Sequence, residues 1–263
     1  MFTIGERING MFKDVRQGIE NRDRRVIQDL ARRQLEGGAD ALDINVGPSK
    51  GRPVENMLWL VEAVQAVTSC PLCIDTPKFD VMQEALRACK ASTIINSTKA
   101  TEEDLSKYIR LAVETGSRLI ALTIDAGGVP SDVDSRVMMG ATIATKAMEG
   151  GMSITDIFID PVILPINVAP QQPLRVMDAI RQLKMLSDPP PKFVLGLSNV
   201  SQGCKERRLI NRIYLTMAIA AGLDAAIVDP TDHELMKAAI TAELLMEKQI
   251  YCHDYIAAYM RSR

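Results

Sequence analysis

Eight short apolar runs in the chain each stop at a carboxylate, an amide or a hydroxyl–amide pair. They are FTIGE to Glu6, ADALDIN to Asn45, LCID to Asp75, STIIN to Asn96, RLIALTID to Asp125, DIFID to Asp160, KFVLGLSN to Ser198 and Asn199, and AAIVD to Asp229. Carboxylates only accept hydrogen bonds when ionised, while amides both donate and accept. Gathered in one place, such groups form a small-molecule pocket that works by hydrogen bonding. The densest text is GLSNVSQGCKER, from Gly196 to Arg207, where Ser198, Asn199, Ser201 and Gln202 precede the bases Lys205, Arg207 and Arg208. It can equally be a Ser/Asn-rich loop ending in a helix cap.

Several of these positions have a second explanation. Asp followed by Pro starts a helix well, and an Asp cap stabilises it by about 1 kcal/mol over Ala. Capping is the favoured reading of Asp229-Pro230. For Asp160-Pro161 capping and ligand binding stand level, because PVILPINVAP does not read as a regular helix. Asp75-Thr76-Pro77 can be a turn.

The segments between the runs are what must bring these groups together. In NRDRRVIQDLARRQLEGGAD, cap-type Asn21 and Asp23 precede apolar residues at helical spacing, and Gly37 and Gly38 stop the helix before the next strand. The same helix–Gly–strand pattern recurs at Gly116, at Gly150 with Gly151, and at Gly222. Strands alternating with helices indicate parallel βαβ units, and near-continuous apolar runs suit strands covered on both faces. The α/β architecture that closes eight such units is a single (β/α)8 TIM barrel, in which all eight strand ends meet on one face. The alternative, a doubly wound open sheet, normally carries a Gly-rich phosphate turn after its first strand, and GERING does not fit that pattern. Long connections after strands 2, 5 and 6 (VGPSKGRPVEN, AGGVPSDVDSR and PVILPINVAPQQP) fall on the face of the polar ring and are its expected walls or lids. The Pro189–Pro191 run falls on the opposite face as a rigid turn.

Bulk properties narrow the partners. A chain of 263 residues, 47% hydrophobic and 24% charged, suits one barrel-sized domain over 1–263. Net charge is −2 and the basic residues are interspersed with acidic ones, which argues against nucleic acid. No stretch has the apolar length of a membrane span, and MFTIGERING lacks the pattern of a secretory leader, so a cytoplasmic protein is expected. Five sparse cysteines (Cys70, Cys73, Cys89, Cys204 and Cys252) are expected to be reduced thiols. Cys70-Pro71-Leu72-Cys73 has CxxC spacing, but Cys73 lies inside an apolar run and no second pair or nearby His completes a zinc site. His233 and His253 are the only histidines, so no His-based metal centre or triad is expected.

Taken together and in order, GERING, LDINVGP, CIDT, INST, IDP and GLSNVSQ resemble the pterin-binding methyltransferases over nearly the whole chain. The likeness is to enzymes that transfer a methyl group from methyltetrahydrofolate to a corrinoid/iron–sulfur protein in the acetyl-CoA pathway. It extends to the tetrahydrofolate methyltransferase component of corrinoid-dependent O-demethylases and, more remotely, to the folate domain of cobalamin-dependent methionine synthase. The resemblance implies a barrel whose mouth holds a pterin. Carried over to this chain, it makes Asp75, Asn96 and Asp160 pterin contacts, with Gly196 and Ser198 beside them. Asn199 would face N5, the nitrogen that bears the methyl group, while Gln202 and Arg207 would lie along the folate. Asn9, Asp43 and Asp125 sit in matching text without a defined role.

Tetrahydrofolate or methyltetrahydrofolate is then the substrate, and the methyl partner is the cobalt of a corrinoid on another protein. This chain has no Asp-x-His-x-x-Gly corrinoid motif. The resemblance also implies a homodimer, and LLMEKQIYCHDYIAAYM is either its surface or, as periodicity favours, the last barrel helix. Two rivals remain. Dihydropteroate synthases use a similar barrel, but they place a Lys after Ser-Arg at the seventh strand and Arg-x-His at the eighth, where this chain has SNVSQ and VDP. A non-catalytic folate-binding subunit would show a degraded polar ring.

Overall fold

A computed structural model of the chain describes residues 1–48, 51–248 and 260. Eight parallel strands close in sequence order into a barrel: β1 (Phe2–Asn9), β2 (Ala41–Asn45), β3 (Leu72–Asp75), β4 (Thr93–Lys99), β5 (Arg118–Leu122), β6 (Ile157–Asp160), β7 (Lys192–Gly196) and β8 (Ala225–Val228). Closure is made by β1 against β8, from Phe2 opposite Ala225 to Gly5 opposite Val228. Helices cover the outside: α1 (Lys13–Glu20), α2 (Arg24–Glu36), α3 (Pro53–Gln65), α4 (Phe79–Ala88), α5 (Glu102–Thr115), α6 (Val133–Glu149), α7 (Gln172–Leu183), α8 (Arg207–Ala221) and α9 (His233–Leu245). The α/β TIM-barrel expectation is met.

The local signals act as their chemistry requires. Asp23 caps α2 by accepting from the Arg25 N–H, and α5 and α8 end on Gly116 (φ +65°) and Gly222 (φ +111°), conformations that cost a residue with a Cβ. α1 was not anticipated. It occupies text between GERING and Asn21, and Asn21 closes it instead of capping α2. Beside it, the first two strand ends nearly touch: a Cβ on Gly10 would lie 2.2 Å from the Val46 carbonyl oxygen, and one on Gly47 would lie 2.6 Å from the Gly10 carbonyl carbon.

Strand alternation explains where the polar ring comes from. One buried residue from each strand fills the barrel interior: Ile4, Ala41, Cys73, Ile94, Ile120, Phe158, Val194 and Ala225. Cys73 is thus a core residue, and it, Cys70, Cys89 and Cys204 are free thiols; Cys252 lies outside the described residues. Side chains repeat on one face every second residue. Two positions further on, the strands present Glu6, Asp43, Asp75, Asn96, Leu122, Asp160, Gly196 and Ile227. Six strands therefore carry the mouth layer of the site, while β5 and β8 contribute Leu122 and Ile227, which pack on the apolar plug.

Polar residues ended the apolar runs without always ending the strands. β1 continues past Glu6 to Asn9 with an irregularity after Gly5, and β4 continues past Asn96 to Lys99 with one between Asn96 and Thr98. The proposed C-terminal dimer surface or barrel helix falls mostly outside the described residues, as do His253, Ser49 and Lys50 of the connection after β2.

Candidate active site

On the β2–β4 side of the mouth, amides and carboxylates hold one another. Asn96 Nδ2 donates to Asp43 Oδ1 at 3.0 Å, and Asn45 Nδ2 donates to Asp75 Oδ2 at 2.6 Å. The Gly47 N–H donates to Asn45 Oδ1 at 2.6 Å, which fixes that amide's orientation because a backbone N–H can only donate. With its nitrogen committed to Asp43, Asn96 keeps its oxygen as an acceptor. Burial pushes the Asp43 carboxyl well above the usual range, and the neighbouring Asp75 charge pushes the same way against the Asn96 hydrogen bond. Asp75 is likewise raised by burial and lowered by Asn45. Both carboxyls are drawn toward protonation in the empty mouth, and N–H donors brought by a ligand would favour their ionised, accepting forms.

On the β6–β7 side the backbone holds the site. Asp160 starts no helix; its Oδ1 accepts the Val162 N–H at 2.8 Å, closing a tight turn in which Val162 has φ +56°. The capping reading of Asp160 therefore does not hold. Burial raises its carboxyl to about 6, opposed by the N–H groups of Val162 and Gly196 and by the Arg136 charge. Ser198 and Asn199 lie on a 3-10 turn, Leu197–Ser201, directly after β7. Ser198 Oγ donates to Glu6 Oε2 at 3.0 Å. Arg207 clasps the turn from α8, its Nη2 donating to the Ser198 carbonyl and its Nε to Ser201 Oγ, each at 3.2 Å. Gln202 follows, exposed.

Asn199 is exposed, with its Nδ2 over the backbone of β7: a Cβ on Gly196 would stand 3.1 Å away. Gly196 thus makes room for the amide. Glu6 completes this side, its carboxyl raised to about 7 by burial first and by the Asp229 charge, against the Ser198 hydrogen bond and Arg207.

Two ring members of the sequence reading leave the ring. Asp125 is exposed beyond β5 and accepts the Gly127 N–H at 2.7 Å. Asp229 closes a turn onto Thr231, accepting its N–H at 3.0 Å and its hydroxyl at 2.7 Å. Nor does Asp229 cap α9, because Asp232 does so by accepting from Leu235. Asn9 holds the Met11 N–H in a turn at 2.9 Å. What the sequence reading missed is the fixing role of Asn45 and the burial of Asp43, both signalled only by their period-two spacing from Ala41. Among the described residues no cluster of His, Cys, Asp and Glu could hold a metal ion, and no helix is long and apolar enough to cross a membrane.

Comparison with known proteins places this geometry in context. The family described as pterin binding enzyme matches residues 6–229. A methylcorrinoid:tetrahydrofolate methyltransferase of Eubacterium limosum is 27% identical over 265 residues, covering 100% of this chain and 97% of that protein. A methionine synthase of Mycobacterium leprae (strain TN) is 30% identical over 241 residues, covering 87% of this chain and 20% of its own length. Among solved structures, a Xanthomonas albilineans dihydropteroate synthase with 4-aminobenzoic acid superposes with TM-score 0.69 at 19% identity, over 95% of this chain and 93% of that one. A Yersinia pestis DHPS bound to a pterine-sulfa conjugate does so with TM-score 0.67 at 16% identity, over 94% of each. At those identities the structural likeness speaks for the barrel alone.

Proposed function

The chain belongs to the pterin-binding enzyme family, and from that premise we propose that it moves a methyl group between N5 of tetrahydrofolate and the cobalt of a corrinoid carried by a partner protein. The observation that carries this reading is the mouth layer itself. Asp75, Asn96 and Asp160 each stand two residues beyond the plug residue of their strand, and the amide of Asn199 stands free over Gly196. The full-length likeness to a methylcorrinoid:tetrahydrofolate methyltransferase supports the same reaction.

A pterin offers an exocyclic amine and ring N–H groups along one edge. Acceptors of fixed geometry are what that edge requires, and here they are the carboxylates of Asp75 and Asp160 and the oxygen of Asn96. Gly196 and Ser198 line the β7 side, and Gln202 and Arg207 extend it toward the rest of the folate. Arg207, already clasping the Ser198 carbonyl, holds the reacting turn in place while its charge faces the mouth.

Methyl transfer from N5 is slow when the departing nitrogen must carry unstabilised charge. Asn199 can donate to a neutral N5 or present its oxygen to a protonated one. Only the part of such a hydrogen bond gained in the transition state accelerates the reaction, so an amide that does not titrate can still be catalytic. The same contacts serve transfer in either direction. The corrinoid's cobalt supplies or receives the methyl group.

Purified protein mixed with methyltetrahydrofolate and chemically reduced cobalamin should form methylcobalamin, followed by absorbance. Conversion of dihydropterin pyrophosphate and p-aminobenzoate in place of that reaction would overturn the proposal in favour of a synthase. Folate binding without methyl transfer would leave a binding subunit.

A further inference from the structure

We infer that Arg136 is the positioning residue for Asp160, gripping the one peptide group that aims the carboxylate into the barrel mouth; the inference rests on the folate reading of that mouth. Arg136 projects from the first turns of α6 and is 0% exposed. Its Nε donates to the Pro161 carbonyl at 2.7 Å. Its Nη2 donates to the Pro130 carbonyl at 2.8 Å and to Gln172 Oε1 at 2.7 Å. Gln172 in turn donates through Nε2 to the Ser131 carbonyl at 3.2 Å. One planar guanidinium thereby ties together the connection after β5, the connection after β6 and the start of α7.

The decisive element is the Pro161–Val162 peptide. Its carbonyl accepts from Arg136, and its N–H donates to Asp160 Oδ1 at 2.8 Å. A charge-assisted hydrogen bond at one end of a peptide group polarises the group and strengthens the bond made at its other end. Arg136 therefore reaches the carboxylate through a single rigid plane. Val162, a β-branched residue at φ +56°, holds a conformation that persists only where its surroundings enforce it. The grip on Pro161 is that enforcement.

The charge is also committed to this task. A buried guanidinium is ordinarily paired with a carboxylate, yet among the described residues Arg136 forms no ion pair, and its Nη1 is buried without a partner. The groups that face it are Asp132 from the turn before α6, Asp160 from β6, Arg175 from α7 and the Tyr214 hydroxyl from α8. Of the two carboxylates, only Asp160 lies in the mouth, and the Arg136 charge favours its ionised, accepting form. A Lys at this position would keep the charge but could not bridge acceptors lying in different directions with a planar fork.

Arg136→Met and Arg136→Lys test the inference by two readouts: methyltetrahydrofolate affinity by calorimetry, and the titration midpoint of the Asp160 carboxyl by carbon NMR in ligand-free protein. Arg136→Met should bind folate about 10- to 100-fold more weakly at pH 7, the scale expected of a misplaced contact group, and its Asp160 midpoint should move to higher pH. Arg136→Lys should return the midpoint toward that of the unaltered protein while affinity stays reduced. In folded Arg136→Met, either readout remaining unmoved overturns the inference, because a merely structural Arg136 lowers the melting temperature without moving the midpoint. Should Arg136→Met not fold, unaltered affinity in Arg136→Lys overturns it. If the unaltered protein binds no folate, the folate reading fails by itself, and the ligand-free midpoint still decides the link between Arg136 and Asp160.

Discussion

The two sides of the barrel mouth are built on opposite plans. On the β2–β4 side, polar side chains satisfy one another: Asn45 with Asp75, and Asn96 with Asp43. On the β6–β7 side, backbone groups and distant anchors hold the carboxylate, and Asn199 has no side-chain hydrogen bond among the described residues. Mutual satisfaction fixes donor and acceptor positions before a ligand arrives, which suits recognition. A side chain without a partner keeps its hydrogen-bonding capacity for a group that changes charge during reaction, which suits catalysis.

The most direct way to break this division is Asn199→Ala. Methyl transfer should fall about 100-fold, the usual cost of one preorganised polar group at a developing charge, while folate affinity by calorimetry changes less than about threefold. Equal losses in both would mean that the two sides share one role. Next in size is Glu6→Gln. The Glu6 carboxyl stands near 7 in the folded protein against a usual 4.5, so its stabilising contribution is complete below pH 4.5 and is lost as pH rises through about 7. At pH 8 the buried charge destabilises the fold, and Glu6→Gln should raise unfolding free energy by roughly 2–3 kcal/mol. Denaturant titrations should show this gain vanish near pH 4.5; a gain independent of pH would point to packing.

Asp160 sharpens the contrast through pH. With a carboxyl near 6, its accepting form disappears as pH falls, so folate affinity should drop about tenfold per pH unit below 6, and Asp160→Asn should remove that limb. An unchanged limb in the variant would assign it to another group. The smallest effect belongs to the preorganised side. Asn45→Ala leaves Asp75 without its amide partner and should cost about 1–2 kcal/mol in thermal stability, with weaker folate binding and an unchanged rate at saturation.

The barrel was legible because parallel βαβ text is redundant: eight apolar runs, helix-ending glycines and Asp-type caps all carry the same message. The mouth was legible in part. Asp75, Asn96 and Asp160 sit at strand positions where alternation alone orients them, whereas Asp125 and Asp229 look identical in sequence and fall one to three residues beyond the strand, where a carboxylate closes a turn instead. The end of an apolar run and the end of a strand are different events, as β1 and β4 demonstrate. Arg136 was illegible: in sequence it ends the connection AGGVPSDVDSR, whereas α6 begins at Val133 and carries it into the interior. Its burial depends on three carbonyl-type acceptors from two connections and α7, which no local pattern encodes.

The near contact of Gly10 with Gly47 bears on how this site can vary. GERING and LDINVGP lie far apart in the chain, yet the backbone of Gly10, which ends the first, meets that of Gly47, next to last in the second, with no space for a methyl group. Their glycines are thus two halves of one joint. Substituting either residue must spread the first two strand tips, and the Gly47 N–H that steadies Asn45 moves with them. Variation at this joint therefore has to be concerted, and a single alanine there should loosen the grip on Asp75 without altering any polar residue of the mouth.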